Sequence, residues 1–172
     1  LGNVTDKIKK NKNKIIGSLS DILNTKTRGT IIDDKTKGIK VLAKPIGVIA
    51  SLTPSTNAAA TPANHIMFAL KCGNSIIISP SPKAQRTVIK LVKLVRRNLV
   101  KLKAPADLVQ CVSIKNSLEI TKDLSSKADL VIATGDKKIV KTSYTSGKPS
   151  MGVSLGNVPV IISLNTNFNK AV

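Results

Sequence analysis

The sequence predicts an α/β protein whose sheet is mostly parallel and covered by helices on both faces. Two observations carry this reading. Short runs such as Gly47-Val48-Ile49-Ala50-Ser51-Leu52 and Ser75-Ile76-Ile77-Ile78-Ser79 are apolar at successive positions, as in strands buried on both sides. Longer segments with apolar residues at helical spacing separate these runs, so strands and helices alternate along the chain. At 172 residues, 41% of them apolar, the chain has one domain's length and enough apolar surface for a core.

Residues 4–23 place Ile8, Ile15, Ile16, Leu19, Ile22 and Leu23 at mostly helical spacing, with Asp6 near the start where it suits the helix dipole. This is one amphipathic helix. Residues 27–38 carry the turn chemistry of a loop or hairpin, and 39–43 a short strand. Segment 1–44 is polar and basic, with 11 basic against 4 acidic residues, and reads as a helix and hairpin of the same domain that 45–172 completes. From Pro45 the expected order is strand 47–52, loop 53–57, helix 58–71 closed by Gly73, strand 75–79, a rigid Pro80-Ser81-Pro82 turn and helix 83–103. In that last helix Val88, Val92, Val95, Leu99 and Leu102 form one buried stripe, while Arg86, Lys90, Lys93, Arg97 and Lys101 form a basic face opposite. Strand 108–112, helix 117–126, strand 129–133, helix 136–146 and strands at 151–154 and 158–163 complete the order.

The formal charge of +19 first raises nucleic acid as a partner. Composition argues against it. The 28 basic residues are 24 Lys and only 4 Arg, and the aromatics are just Phe68, Tyr144 and Phe168, leaving few guanidinium forks or stacking platforms. No apolar run approaches the ~20 residues of a membrane helix, so the expectation is a soluble, cytoplasmic protein without membrane or nucleic-acid partners. Cys72 and Cys111 make neither a metal spacing nor a disulfide framework, and are expected as buried free thiols with no metal site. His65, in mid-helix, reads as structural, Asp33-Asp34 as a turn, and Asp136 as a helix cap.

In open parallel sheets, ligands bind beyond the carboxyl ends of the strands. Three loops there carry suitable groups. Thr53-Pro54-Ser55-Thr56-Asn57 offers hydroxyls, backbone N–H groups and an amide able to donate to an oxyanion. Ser79-Pro80-Ser81-Pro82 is followed by Lys83, and Thr134-Gly135-Asp136 opens another helix. Each alone is ordinary strand-to-helix turn chemistry; three on one sheet edge suit a nucleotide. None is a G-x-G-x-x-G fingerprint or a phosphate-binding P-loop.

Lys44-Pro45-Ile46-Gly47-Val48-Ile49-Ala50, Thr53-Pro54-Ser55-Thr56-Asn57, Ala69-Leu70-Lys71-Cys72-Gly73-Asn74, Ser79-Pro80-Ser81-Pro82-Lys83, Ala133-Thr134-Gly135, Ser146-Gly147-Lys148-Pro149 and Gly156-Asn157-Val158-Pro159 resemble, in order and spacing, the CoA-acylating branch of the aldehyde dehydrogenase superfamily. Ala59-Ala60-Thr61-Pro62-Ala63-Asn64 and Ala104-Pro105-Ala106-Asp107-Leu108-Val109-Gln110 look most like the members acting on sulfoacetaldehyde, though acetaldehyde and propionaldehyde members share most of these motifs. The resemblance implies a Rossmann-like domain, NAD or NADP as cofactor, coenzyme A and an aldehyde as small-molecule partners, and a homo-oligomer at full length. Asn57 matches the family's oxyanion-stabilising Asn. Thr53 to Thr56 would lie along the nicotinamide half of the cofactor, Ser79 to Pro82 against the adenosine ribose, Thr134-Gly135-Asp136 by the pyrophosphate, and Ser154 also beside the cofactor.

In Gly152-Val153-Ser154-Leu155-Gly156, Val153 stands where hydrolysing members carry a water-activating Glu, which implies a thiol acceptor instead of water. Pro82 replaces the ribose-binding Glu of many NAD-specific members, leaving room for a 2′-phosphate that Lys83 would favour. The family's nucleophilic Cys lies in a second domain, so the resemblance places it beyond Val172, and the expectation is a chain that binds a nicotinamide nucleotide without turnover.

Overall fold

The computed structural model describes residues 3–114, 116–154, 156, 159, 161–163, 166 and 167. The element order is α1 (Val4–Asn24), β1 (Gly29–Asp34), β2 (Ile39–Ala43), β3 (Val48–Thr53), α2 (Ala60–Lys71), β4 (Ser75–Pro80), α3 (Gln85–Lys101), β5 (Val109–Cys111), α4 (Leu118–Lys127), β6 (Leu130–Thr134), α5 (Lys137–Tyr144) and β7 (Ser150–Val153). Short 3-10 turns at Pro82–Ala84 and Ala106–Leu108 precede α3 and β5.

Strands β3 to β7 form one sheet in the order β5-β4-β3-β6-β7, with every neighbouring pair parallel. This is the doubly wound pattern: the chain steps outward from β3 through β4 to β5, then returns to place β6 on the other side of β3. The strand order therefore reverses between β3 and β6. β1 and β2 form a separate antiparallel hairpin, whose turn is held by Asp34 Oδ1 accepting from the N–H groups of Thr36 and Lys37, both at 3.0 Å.

Period-two alternation along β3 divides the core in two. Ile49 faces a cluster with Ile66 of α2, Ile76 and Ile78 of β4, and Val88 and Val92 of α3. Ala50 and Leu52 face the other way, toward Val131 and Ala133 of β6 and Val140 of α5. Burial on both faces explains why these strands read as continuous apolar runs. Helix α1 packs alongside α2, where Asn64 Nδ2 donates to Ser18 Oγ at 2.9 Å.

Two helix ends show how the chain leaves a helix. After α2, Gly73 takes φ +79° and the N–H groups of Gly73 and Asn74 return to the carbonyls of Leu70 and Ala69 (3.0 and 2.9 Å), a Schellman close. After α3, Lys103 takes the same left-handed turn at φ +57°, with Ala104 N–H donating to Leu99 O at 2.9 Å. That close ends α3 at Lys101 instead of 103 and turns Leu102 outward at 77% exposure, so Leu102 does not join the buried stripe expected of it. Val88 and Val92 are buried, and the basic residues expected on the opposite face are exposed.

The strand expected at 151–154 is β7. Of the one expected at 158–163, residues 158 and 160 lie outside the described residues, and 161–163 carry no strand. Among the described residues, no helix is long and apolar enough to cross a membrane.

Candidate functional site

A cavity of about 620 Å³ opens at the carboxyl edge of the sheet, within the range of small-molecule and cofactor sites. Its walls include all three loops singled out in the sequence: Thr53 to Asn57 after β3, Ser79 to Pro82 after β4, and Thr134 to Asp136 after β6, together with Ser154 after β7. The cavity spans the β3/β6 position where the strand order reverses, the place at which helices diverge to opposite faces and leave a crevice. The loops are cross-tied through the backbone. Ser81 N–H donates to Thr53 O at 2.9 Å, and Gly135 N–H to Val153 O at 3.1 Å.

The lining groups differ in how far the protein already satisfies them. Ser79, 3% exposed, has its hydroxyl engaged: Asn116 Nδ2 donates to it at 2.8 Å and to Pro80 O at 2.7 Å. Asp136 caps α5, its Oδ1 accepting from Ile139 N–H at 2.9 Å, in line with the capping role read from the sequence. Thr53 Oγ1 and Ser154 Oγ, by contrast, are buried without a hydrogen-bond partner among the described residues. Buried hydroxyls left unpaired are uncommon, and two on one cavity wall leave places for the polar groups of a ligand. Asn57 also lines the cavity, its Oδ1 accepting from Lys10 Nζ at 3.2 Å.

Several lining residues escaped sequence reasoning. Asn116, Ser117 and Thr121 come from the loop after β5 and the start of α4, and Lys138 brings a cation to the first turn of α5. Extending the strand-end search to the fourth loop would have found Asn116; Lys138 carried no signal apart from its nearness to Gly135. Lys83 lies outside the lining, in the turn after Pro82.

Cys72 and Cys111 are free thiols and are half-buried, less enclosed than expected. Neither lines the cavity, and burial pushes the Cys111 thiol up to about 11, which keeps it protonated near neutral pH. His65 is held by Ser51, with 2.8 Å between Nδ1 and Oγ. Burial, reinforced by the charge of Lys14, lowers it to about 4, so it is a neutral structural histidine outside the cavity. Among the described residues, no group of three His, Cys, Asp or Glu side chains is placed to hold a metal ion.

Sheet order, helices on both faces and a cavity at the switch point define a Rossmann-like α/β domain. Residues 10–172 match the Aldehyde dehydrogenase family, and the chain belongs to that family. It is 47% identical over 171 residues to the sulfoacetaldehyde dehydrogenase (acylating) of Cupriavidus necator, covering 99% of this chain and 35% of that protein. Among solved structures, an acetylating aldehyde dehydrogenase from Geobacillus thermoglucosidasius superposes with a TM-score of 0.84 at 33% identity, covering 99% of this chain and 38% of that one. An engineered glycolyl-CoA reductase with bound NADP+ gives a TM-score of 0.70 at 29% identity, covering 97% of this chain and 42% of that one. The chain thus spans between about a fifth and two fifths of the length of the curated relatives it matches.

Proposed function

We propose that the chain is the nicotinamide-cofactor-binding part of a CoA-acylating aldehyde dehydrogenase, a cytoplasmic homo-oligomer at full length that oxidises sulfoacetaldehyde to its acyl-CoA with NAD(P)+. The observation that carries this reading is the single cavity lined by Thr53 to Asn57, Ser79 to Pro82, Thr134 to Asp136 and Ser154, centred on the reversal of strand order. Its unpartnered Thr53 and Ser154 hydroxyls and the Lys138 cation fit a ligand rich in hydroxyls and phosphates. When bound, NAD(P)+ supplies the hydride acceptor.

The chain's own residues do the rest of the positioning. Thr53 to Thr56 and Thr134 to Asp136 form the walls between which the cofactor is oriented. Asn57 directs an amide donor to the point where an aldehyde oxygen gains negative charge under thiolate attack. Val153, at the end of β7, puts a methyl-bearing side chain on the cavity wall in place of a carboxylate, so no base there activates water, and a thiol acceptor such as coenzyme A takes the acyl group. The attacking thiolate comes from outside this chain, since neither Cys72 nor Cys111 reaches the cavity.

The binding test is a titration of the 172-residue chain with NAD+ and NADP+, with duplex DNA as control at physiological salt. Saturable dinucleotide binding with no CoA-dependent aldehyde oxidation is expected. Salt-sensitive DNA binding without dinucleotide affinity would overturn the reading. For the substrate, steady-state kinetics of the full-length enzyme should favour sulfoacetaldehyde over acetaldehyde; the reverse preference sinks that narrower assignment.

A further inference from the structure

One polar contact to the cavity comes from outside the parallel sheet and its covering helices. Lys10, on the second turn of α1, reaches 47 residues along the sequence to donate from Nζ to Asn57 Oδ1 at 3.2 Å. Helix α1 is held where it can do this, by Ser18 on Asn64 at 2.9 Å and by Ile22, 8% exposed, near its end. An ammonium has donors only, so the atom of Asn57 that faces it must be the carbonyl oxygen. That choice fixes the amide: Nδ2, which has no protein acceptor among the described residues, is the edge left for a ligand. A cationic donor on Oδ1 also draws electron density through the amide and makes Nδ2–H a stronger donor.

We propose that Lys10 is a positioning residue for Asn57: it sets the orientation of the amide and strengthens the N–H that meets the developing oxyanion. The proposal rests on the reading of Asn57 as that donor. A neutral side chain at position 10 leaves the amide free to rotate, so that for part of the time the carbonyl oxygen faces the negative charge.

The test uses the full-length enzyme. Lys10→Met is expected to lower kcat/KM for the aldehyde about tenfold while the KM for NAD(P)+ stays within twofold, and Lys10→Arg, which still donates, to recover most of the loss. Lys10 is exposed, so the melting temperature should not move. Asn57→Ala should cost 10²-fold or more, and adding Lys10→Met to it should change nothing further. If Asn57→Ala is impaired but Lys10→Met matches the wild type, Lys10 has no positioning role and the Asn57 reading survives. If Asn57→Ala retains full activity, the oxyanion reading itself fails. If Lys10→Met still costs tenfold in the Asn57→Ala background, Lys10 acts by another route and the proposal is overturned.

Discussion

The two edges of the parallel sheet are built on opposite rules. At the amino edge, the backbone donors that lead into β3 are met by side chains: Asn74 Oδ1 accepts from the N–H groups of Ile46 and Gly47 at 2.6 and 3.0 Å, and Asp129 Oδ2 accepts from Val48 N–H at 2.8 Å. Ladder-like backbone bonds from Ser75 to Gly47 O and from Asp129 to Val48 O close the same edge. At the carboxyl edge, the loops are tied to one another at their roots by two backbone bonds but open around a cavity, and the Thr53 and Ser154 hydroxyls are buried there without partners among the described residues. One sheet therefore carries a satisfied edge that holds the strands in register and an unsatisfied edge that a ligand completes. The cost of the second, roughly 1 to 3 kcal/mol for each unpaired group, is offset when a polar ligand binds.

The largest effect expected from breaking this division is at Gly47. It sits at φ +129°, a backbone conformation open to glycine, and a Cβ built there would lie 2.9 Å from Asp129 Cγ. Gly47→Ala would strain the backbone and push Asp129 off the Val48 N–H, at a combined cost of about 4 kcal/mol. In a chain of this size that lowers the melting temperature by about 8 to 16 °C, which calorimetry reads directly. A variant that melts with the wild type would show that the amino edge does not hold the sheet.

The next effect lies between the edges, in mid-strand, where His65 of α2 meets Ser51 of β3. Folding lowers this histidine from its ordinary 6.5 to about 4, mainly through burial. Between those values the unfolded chain binds the extra proton and the folded chain does not. The contribution is therefore fully present above pH 6.5 and is lost as pH falls toward 4, by up to about 3 kcal/mol. Denaturant unfolding at pH 7 and pH 4 should show this slope, and His65→Gln should flatten it. An unchanged slope in that variant would assign the acid sensitivity to carboxylates.

The same division governs what the sequence reveals of the fold and the site. Buried parallel strands announce themselves through runs such as Ile76-Ile77-Ile78, and the strand-end rule then reaches Thr53, Ser79 and Thr134 without further help. Gly73 marks the end of α2 because glycine is the usual left-handed cap; Lys103 closes α3 in the same conformation with no such mark, so the apolar stripe read from spacing runs one residue past the helix, to the exposed Leu102. Contacts between distant segments left no local trace. Asn116 on Ser79 and Lys10 on Asn57 depend on how the α4 entry loop and α1 pack onto the sheet, and neither spacing nor residue type encodes that.

The smallest effect on stability is the most direct test of the unsatisfied edge. Thr53→Val exchanges a hydroxyl for a methyl of nearly the same shape at a position 4% exposed. Where a buried hydroxyl is hydrogen-bonded, that exchange destabilises; where it is orphaned, the methyl removes a penalty. Thr53 Oγ1 has no partner among the described residues, so the ligand-free variant should be more stable than the wild type by about 1 kcal/mol, and its affinity for the nicotinamide nucleotide should fall about fivefold. The opposite signs matter more than the sizes, because losing a hydroxyl that serves only the fold would lower stability and leave the affinity unchanged. If the variant is less stable and binds nucleotide as tightly as before, Thr53 belongs to the satisfied class, and the division between the two edges fails at its central strand.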